Sequence, residues 1–382
     1  MSESSDSETP AHVTRADDSP SAGSAPPDER DEARAHRRSL SRRGWTMVVS
    51  GVLVLVFALV GAFVRVPYVA LGPGPTYNTL GTVDGHEVVS VDGQRSFPAD
   101  GELRMTTVSL NDDMTLFGAL GLWLSGRFAL APRENYFRPG QTDEEVRRQN
   151  LRQFRVSQSN AEVAALRRLG HPVQVVVAEV EKNSPADGVL KPGDRLLRVD
   201  GREVADSAAV HEALADTRPG QTVSLTVRRD GEGERTVRVT LTNRPDNRPQ
   251  GFVGFQPSDR ADVPFEIDIA LEDVGGPSAG LMFALAIVDR LTQGDLTGGR
   301  HVAGTGEIDA QGNVGEIGGI SFKLVAAREA GATSFLVPSG NCDEAVASAP
   351  DGLRLIEVGH LDDAVHALEA LNSGEPVPTC AS

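Results

Sequence analysis

The sequence predicts an α+β chain made of one N-terminal transmembrane helix, a β-rich sandwich-like module in the middle and a C-terminal part in which short strands and helices alternate. Three observations carry that expectation. Residues 45–64 contain no charged side chain, residues 173–241 are strand-like runs broken by Gly-Asp and Asp-Gly turns, and runs such as Phe335-Leu336-Val337-Pro338 and Leu355-Ile356-Glu357-Val358 alternate with helical stretches.

Composition narrows the function classes. A chain of 382 residues with 39% hydrophobic and 24% charged side chains has room for two or three globular domains. The net charge of −17 repels phosphate backbones, and no basic patch occurs beyond residue 44, so nucleic acid is excluded as a partner. The only cysteines, Cys342 and Cys380, have no metal-ligand spacing and form no disulfide framework, leaving room for a single bridge. His301, His360 and His366 also lack ligand spacing, and no His-Glu-x-x-His occurs. No metal and no cofactor is expected.

Residues 1–44 are rich in Ser, Asp, Glu, Pro and Arg, a composition that buries too little apolar surface to offset the entropy of ordering, and they are expected to be a disordered cytoplasmic tail. The uncharged run 45–64 is long enough, at about 1.5 Å per residue, to cross a hydrocarbon core of roughly 30 Å. Arg34, Arg37, Arg38, Arg42 and Arg43 precede it, whereas Arg65 is the one base close behind it. This asymmetry predicts a single-pass protein of the cell membrane, with the N-terminus cytoplasmic and everything after residue 65 extracytoplasmic. A cleavable secretory signal ending near Val60-Gly61-Ala62 is the competing reading.

The region 65–160 opens with the turn-rich Leu71-Gly72-Pro73-Gly74-Pro75, continues through strand-like stretches at 88–91 and 103–109, and reads as helical over 112–130 and 142–169. A helix is also expected at about 207–217, inside the β-rich module.

The C-terminal third holds the residues that carry chemistry. In Gly275-Gly276-Pro277-Ser278-Ala279-Gly280, Pro277 is expected to open a buried helix with Ser278 in its first turn. Free amides there and the positive helix end could hold an oxyanion, while Gly276 lets a substrate backbone approach. Ser278 as a simple helix cap is the bland alternative. A second motif runs from Gly304-Thr305-Gly306-Glu307-Ile308 to Ile317-Gly318-Gly319-Ile320-Ser321-Phe322-Lys323, and a helix is expected over 320–330 with Lys323 one turn in. Apolar neighbours Leu324, Val325 and Ala327 would desolvate Lys323, and only its neutral amine can take a proton from a serine hydroxyl. A snorkelling lysine is the alternative for that position. Together the two motifs point to a peptidase.

These residues resemble two known families. Ser184-Pro185-Ala186, Leu190-Lys191-Pro192-Gly193-Asp194 and Val199-Asp200-Gly201 resemble the bacterial protease type of PDZ domain, placed here at 161–245. Such a domain adds a ligand strand to an open sheet edge. Gly170-His171-Pro172 stands before its first strand where a Gly-Leu-Gly-Phe-like carboxylate loop would be sought, and a role as mere spacer stays open. Gly276 to Gly280, Thr305 to Glu307, Val314 to Gly319 and Lys323 resemble the α/β proteolytic domain of Lon-type serine proteases, placed at 250–372 with a short tail over 373–382. The resemblance implies Ser278 as nucleophile, Lys323 as general base and acid, and Gly276, Pro277 and Thr305 in support, with Thr305 holding the amine. Lon-type domains usually carry Asp before Gly-Pro-Ser; here Gly275 stands there, and Glu272 and Asp273 are the nearest acids.

Anchor, PDZ module and Lon-type domain together resemble the YlbL-like family of membrane-anchored PDZ proteases. By that comparison 65–160 is the first part of a protease domain split by the PDZ insertion. The implied activity is a serine endopeptidase acting on unfolded or membrane-associated proteins and peptides. No Gly-x-x-x-x-Gly-Lys-Ser/Thr run occurs, so no nucleotide partner is expected and cleavage would be ATP-independent. Lon-type domains often form rings, which makes a homo-oligomer an expectation. A non-catalytic PDZ adaptor that keeps the Lon-type fold is the alternative.

Overall fold

The computed structural model describes residues 42–137, 140–271 and 274–380. The tail expected over 1–44 lies outside the described residues up to position 41, and its last three residues are helical, as part of α1, Arg42–Phe63. At 22 residues this helix is long and apolar enough to cross a membrane by length and composition.

From residue 68 the chain builds the strands β1, Tyr68–Asn78, β2, Thr82–Val83, β3, His86–Glu87, β4, Val89–Asp92, and β5, Glu102–Asn111. The stretch expected to be helical over 112–130 is shorter: α2 covers Leu116–Leu124, and β6, Ala129–Pro132, follows as a strand. Gly126, at φ 70°, turns the chain between them. The long helix α3, Asp143–Arg168, opens with a capping box in which Thr142 Oγ1 accepts from Glu145 N and Thr142 N donates to the Glu145 carboxylate.

Residues 173–261 form a second β unit: β7, Val173–Val180, β8, Arg195–Val199, β9, Arg202–Glu203, α4, Ser207–Leu214, β10, Thr222–Arg229, β11, Gly233–Thr240, and β12, Phe255–Ala261. Its sheet runs β11-β10-β8-β7-β12, with β9 beside β8. Val175, Leu196, Val210, Leu225 and Val239 fill its core. β12 lies in the segment expected to begin the proteolytic part at 250, yet it pairs antiparallel with β7. The buried carboxylate of Asp194 accepts from Lys191 N at 2.8 Å, so it closes the Lys-Pro-Gly-Asp turn, and it receives Arg229 from β10 on both oxygens.

The chain then returns to the first unit with β13, Glu266–Ile269, which pairs with β4, followed by α5, Gly280–Leu291, β14, His301–Gly304, the hairpin β15, Glu307–Ile308, and β16, Val314–Gly315, α6, Ile320–Glu329, β17, Ser334–Pro338, α7, Cys342–Ser348, β18, Arg354–Val358, and α8, Leu361–Ser373. Its main sheet has the order β18-β17-β14-β5-β1-β6. Strands from before and after 173–261 therefore share one sheet, joined where β14 runs parallel to β5. All five residues of β17 are buried, which fits a parallel strand covered on both faces. α5 is buried along almost its whole length and packs against α3, with Phe154 and Phe283 in edge contact at 5.7 Å between ring centres.

Two ties fasten parts of the chain that lie far apart in sequence. Arg167 near the end of α3 reaches Asp259 on β12 at 3.2 Å and Asp206 at the start of α4 at 3.6 Å, joining the two β units. Cys342 and Cys380 form a disulfide that fastens the C-terminal segment to α7.

Candidate active site

The site is built from both halves of the main sheet. Gly276 takes φ 87°, a conformation an L side chain rarely adopts, and donates its amide to Asn150 O of α3 at 3.1 Å. Ser157, also on α3, donates to Pro277 O at 2.8 Å. The Ser278 carbonyl accepts from Gly306 N at 2.9 Å and from Thr305 Oγ1 at 3.0 Å. The backbone on each side of Ser278 is thus pinned, by α3 before it and by the 305–306 turn after it. A Cβ on Gly280 would sit 2.7 Å from Ile308 Cγ2 and 2.8 Å from Ser157 Oγ, so the last residue of Gly-Pro-Ser-Ala-Gly must be glycine for the helix to enter here.

Two expectations about Ser278 change. α5 begins at Gly280, not at Pro277, and its N-cap residue is Ala279 with no side-chain cap bond, so Ser278 stands just ahead of the helix and does not cap it. Its hydroxyl is left for another partner. The run 276–280 also has the form Gly-x-Ser-x-Gly, but the side chain beside its serine is a lysine, and among the described residues no histidine lines the cleft.

α6 brings that lysine. Gly319 precedes it in the left-handed conformation at φ 70°, and Ile320, Lys323, Leu324 and Ala327 recur at helical spacing on its buried face. Lys323 is 2% exposed. Its Nζ lies 2.8 Å from Ser278 Oγ and 2.8 Å from Thr305 Oγ1. Among the described residues no carboxylate pairs with it, and burial alone lowers its pKa from 10.5 to about 7. Asn341 fixes the loop leading into α6 by holding Ile317 at both its amide and its carbonyl, each at 2.9 Å.

Ser278 and Lys323 open onto a cleft of about 620 Å³ whose walls include Tyr77, Thr107, Asn150 and Ile317. Ser278, Lys323, Thr305, Gly276 and Pro277 are therefore brought together in space. Glu272 and Asp273 lie outside the described residues. Asn150 and Ser157 were not legible as site residues, because they sit about 120 positions from the serine and in no motif of their own.

Residues 146–241 match the PDZ domain family, and residues 271–370 match the Lon protease (S16) C-terminal proteolytic domain. The chain carries a PDZ domain and a Lon-type proteolytic domain. Among curated proteins, Lon protease 1 of Bacillus subtilis (strain 168) is 30% identical over 194 residues, which is 46% of this chain and 25% of that protein. Lon protease of Clostridioides difficile (strain 630) is 37% identical over 103 residues, 26% of this chain and 13% of that one. The chain thus spans a quarter or less of the length of these relatives. Among solved structures, the PDZ domain of an SdrC-like protein from Listeria monocytogenes aligns at 23% identity and TM-score 0.20, covering 22% of this chain and 85% of that one.

The PDZ domain has a second cleft, of about 320 Å³, between α4 and the start of β12, lined by Val210, His211, Leu214, Phe252 and Phe255. A glycine-phenylalanine run, Gly251-Phe252-Val253-Gly254-Phe255, lies here, beyond the end of the segment 146–241. Gly254 takes φ 85°, and among the described residues the amides of Val253 and Gly254 have no acceptor. The run is plain in the sequence, but in the segment assigned there to the neighbouring domain.

Proposed function

We propose that this chain is a membrane-anchored, ATP-independent serine endopeptidase in which Ser278 is the nucleophile and Lys323 the general base. One observation carries the reading: a buried lysine without a carboxylate partner holds its amine 2.8 Å from a serine hydroxyl that caps no helix. A neutral amine at about pH 7 is a competent base for that hydroxyl. Lys323 takes the Ser278 proton as Oγ bonds to the scissile carbonyl carbon. The oxyanion falls to the amides of Ser278 and Ala279, which have no acceptor among the described residues. The C–N bond then breaks, and the Lys323 ammonium protonates the departing amine. Water repeats the sequence on the acyl-enzyme, with Lys323 again as base. Thr305 accepts a hydrogen bond from the amine and is itself anchored on Ser278 O, which points the lysine lone pair at the serine.

The cleft suits an extended segment; α1 and the uncharged run 45–64 support an anchor, and the arginines ahead of that run support a catalytic part outside the cell membrane. The disulfide supports an oxidising compartment. The groove between α4 and β12 would take an extended peptide as an added strand, its terminal carboxylate at the amides of 253–254.

The test is hydrolysis of an unfolded protein by the full chain in detergent. Ser278→Ala should remove it and leave the fold intact by circular dichroism. Hydrolysis that persists at the parental rate would move the chain to the adaptor reading.

A further inference from the structure

The described surface has one apolar feature that the proposed chemistry leaves unused. All nine residues of α2, Leu-Phe-Gly-Ala-Leu-Gly-Leu-Trp-Leu, are uncharged, yet Leu116, Phe117, Leu120, Trp123 and Leu124 are all exposed. Trp123 is 58% and Leu124 69% accessible. Only Ala119 and Leu122 turn inward, onto Ala70, Met114, Phe128 and Leu130 at the β1–β6 edge of the main sheet. A soluble surface seldom leaves so many large side chains contiguous without a partner.

The place of this helix in the chain identifies the partner. Phe117 lies against Gly61 in the last turn of α1, so closely that a Cβ on Gly61 would stand 2.6 Å from the ring. Val66 N donates to Met114 O at 3.0 Å, and Arg65 bridges to Thr115, the N-cap of α2. The start of α2 is therefore tied to the residues at which the apolar run ends. Charged side chains begin only at its margins: Arg65 paired with Asp113, and Arg127 paired with Glu329.

We propose that α2 is an interfacial helix, lying in the outer headgroup region of the bilayer with Phe117, Leu120, Trp123 and Leu124 in the acyl boundary. The inference rests on reading α1 as a membrane span. A second copy of the chain is the poorer occupant, because nine residues give a strip about 14 Å long and roughly 10 Å wide, on the order of 140 Å² and far short of the roughly 800 Å² per partner of a standard interface. Trp123 suits the headgroup depth, where an amphipathic ring is favoured.

The seat has a consequence for substrates. Leu110, exposed and five residues ahead of the α2 N-cap Thr115, is two residues along β5 from Val108, which lines the catalytic cleft. That is about 7 Å of strand. The cleft is thereby held close to the bilayer surface, within reach of extended segments that emerge from it and away from chains free in solution.

The two tryptophans of the chain, Trp45 and Trp123, make the inference testable on the full protein. Trp45→Phe leaves Trp123 as sole reporter, and Trp123→Phe leaves Trp45. Each variant is reconstituted into phosphatidylcholine vesicles with and without lipid brominated near the headgroup end of its chains. The expected result is that both tryptophans lose most of their emission to the bromines. Quenching of Trp45 with Trp123 unaffected overturns this inference and leaves the anchor standing. Quenching of neither overturns the anchor as well. A Trp123 spared by bromolipid but shielded from aqueous acrylamide assigns α2 to a protein partner and also overturns the inference. In the Trp45→Phe background, Leu120→Ser with Leu124→Ser should fold as the parent and release Trp123 from quenching; unchanged quenching would count against the proposal.

Discussion

Two cations withdrawn from water mark the two β units, and they are kept there by opposite means. Arg229 of the PDZ domain, with 11% of its side chain exposed, gives Nε to one oxygen of Asp194 at 2.6 Å and a terminal nitrogen to the other at 2.7 Å. That bidentate pair holds Arg229 still more firmly charged than usual. Burial pushes the Asp194 carboxyl up, but the Arg229 hydrogen bonds and the Lys191 amide outweigh it and leave the group below the ordinary carboxylate range. Lys323 of the Lon-type domain has two hydroxyls for company and no countercharge among the described residues. The pair in the PDZ domain completes a turn; the unpaired amine is, on the proposed reading, the group that moves a proton. A buried charge with its partner is architecture, whereas one without a partner needs a chemical reason to be retained.

Lys323→Met puts the contrast to its most severe test. Hydrolysis of an unfolded protein should fall by about 10³-fold or more, the loss seen when one member of a nucleophile–base pair is removed. Stability should move the other way. The lysine is protonated in the unfolded chain and resists protonation in the native one, so between about 7 and 10.5 the unfolded state binds more protons and stability rises with pH. At pH 7 the gap corresponds to roughly 4–5 kcal/mol as an upper figure, which methionine escapes. A melting temperature that drops in Lys323→Met would show that the amine is not desolvated. The parent's own kcat/KM should climb through about pH 7 and level off above it.

Thr305→Val probes the same amine with a smaller effect. The hydroxyl accepts from the lysine amine and favours its charged form, so its loss should cost about 10–100-fold in kcat and carry the pH midpoint below that of the parent. Thr305→Ser should restore both. A loss of rate with no movement of the midpoint would reduce Thr305 to a packing role.

For the paired cation, Asp194→Asn should lower the melting temperature of the PDZ domain by several degrees while leaving cleavage of a short unfolded peptide near the parental rate. Asp194 is depressed in the folded state, so its contribution is present above the unfolded carboxylate value near 3.8 and is lost as pH falls through the lower native value. The variant and parent should therefore converge in acid. Thermal melts at pH 7 and pH 3 check this.

How much of this was legible depended on the range of the interactions. The glycines, Ser278, Thr305 and Lys323 announce themselves because turns, helix starts and buried faces leave local residue patterns. The Lys-Pro-Gly-Asp run is equally plain, yet its purpose, a carboxylate for Arg229 some 35 positions on, is not. Ser157 and Asn150 have no local signature, since a lone polar residue on a long helix reads as solvent-facing until the sheet folds around it. The helix expected over 112–130 is too long because apolar residues outside the protein interior imitate a core face, and Ser125-Gly126 is the stop that ends it. β12 falls on the wrong side of the expected boundary because a strand completing an earlier sheet looks like the first strand of the next unit.

A second unpaired charge shows that burial alone does not make a site. Asp289, on α5, is 1% exposed; burial raises its pKa from 3.8 to about 6, although one oxygen accepts Leu296 N at 2.7 Å. The native group holds its proton more tightly than the unfolded one, so it weakens the fold as pH rises from about 4 through about 6 and stays costly above that. Asn keeps an acceptor for Leu296 without the charge. Asp289→Asn should therefore raise stability at pH 8 by at most about 3 kcal/mol, make no difference near pH 3.5, and leave hydrolysis unchanged, because Asp289 lines no part of the cleft. Denaturant melts at the two pH values measure the first two effects. Lys323 differs from it by the hydroxyl at 2.8 Å and the open cleft beyond, and a large change of rate in Asp289→Asn would show that the proton traffic reaches further into α5 than those two features allow.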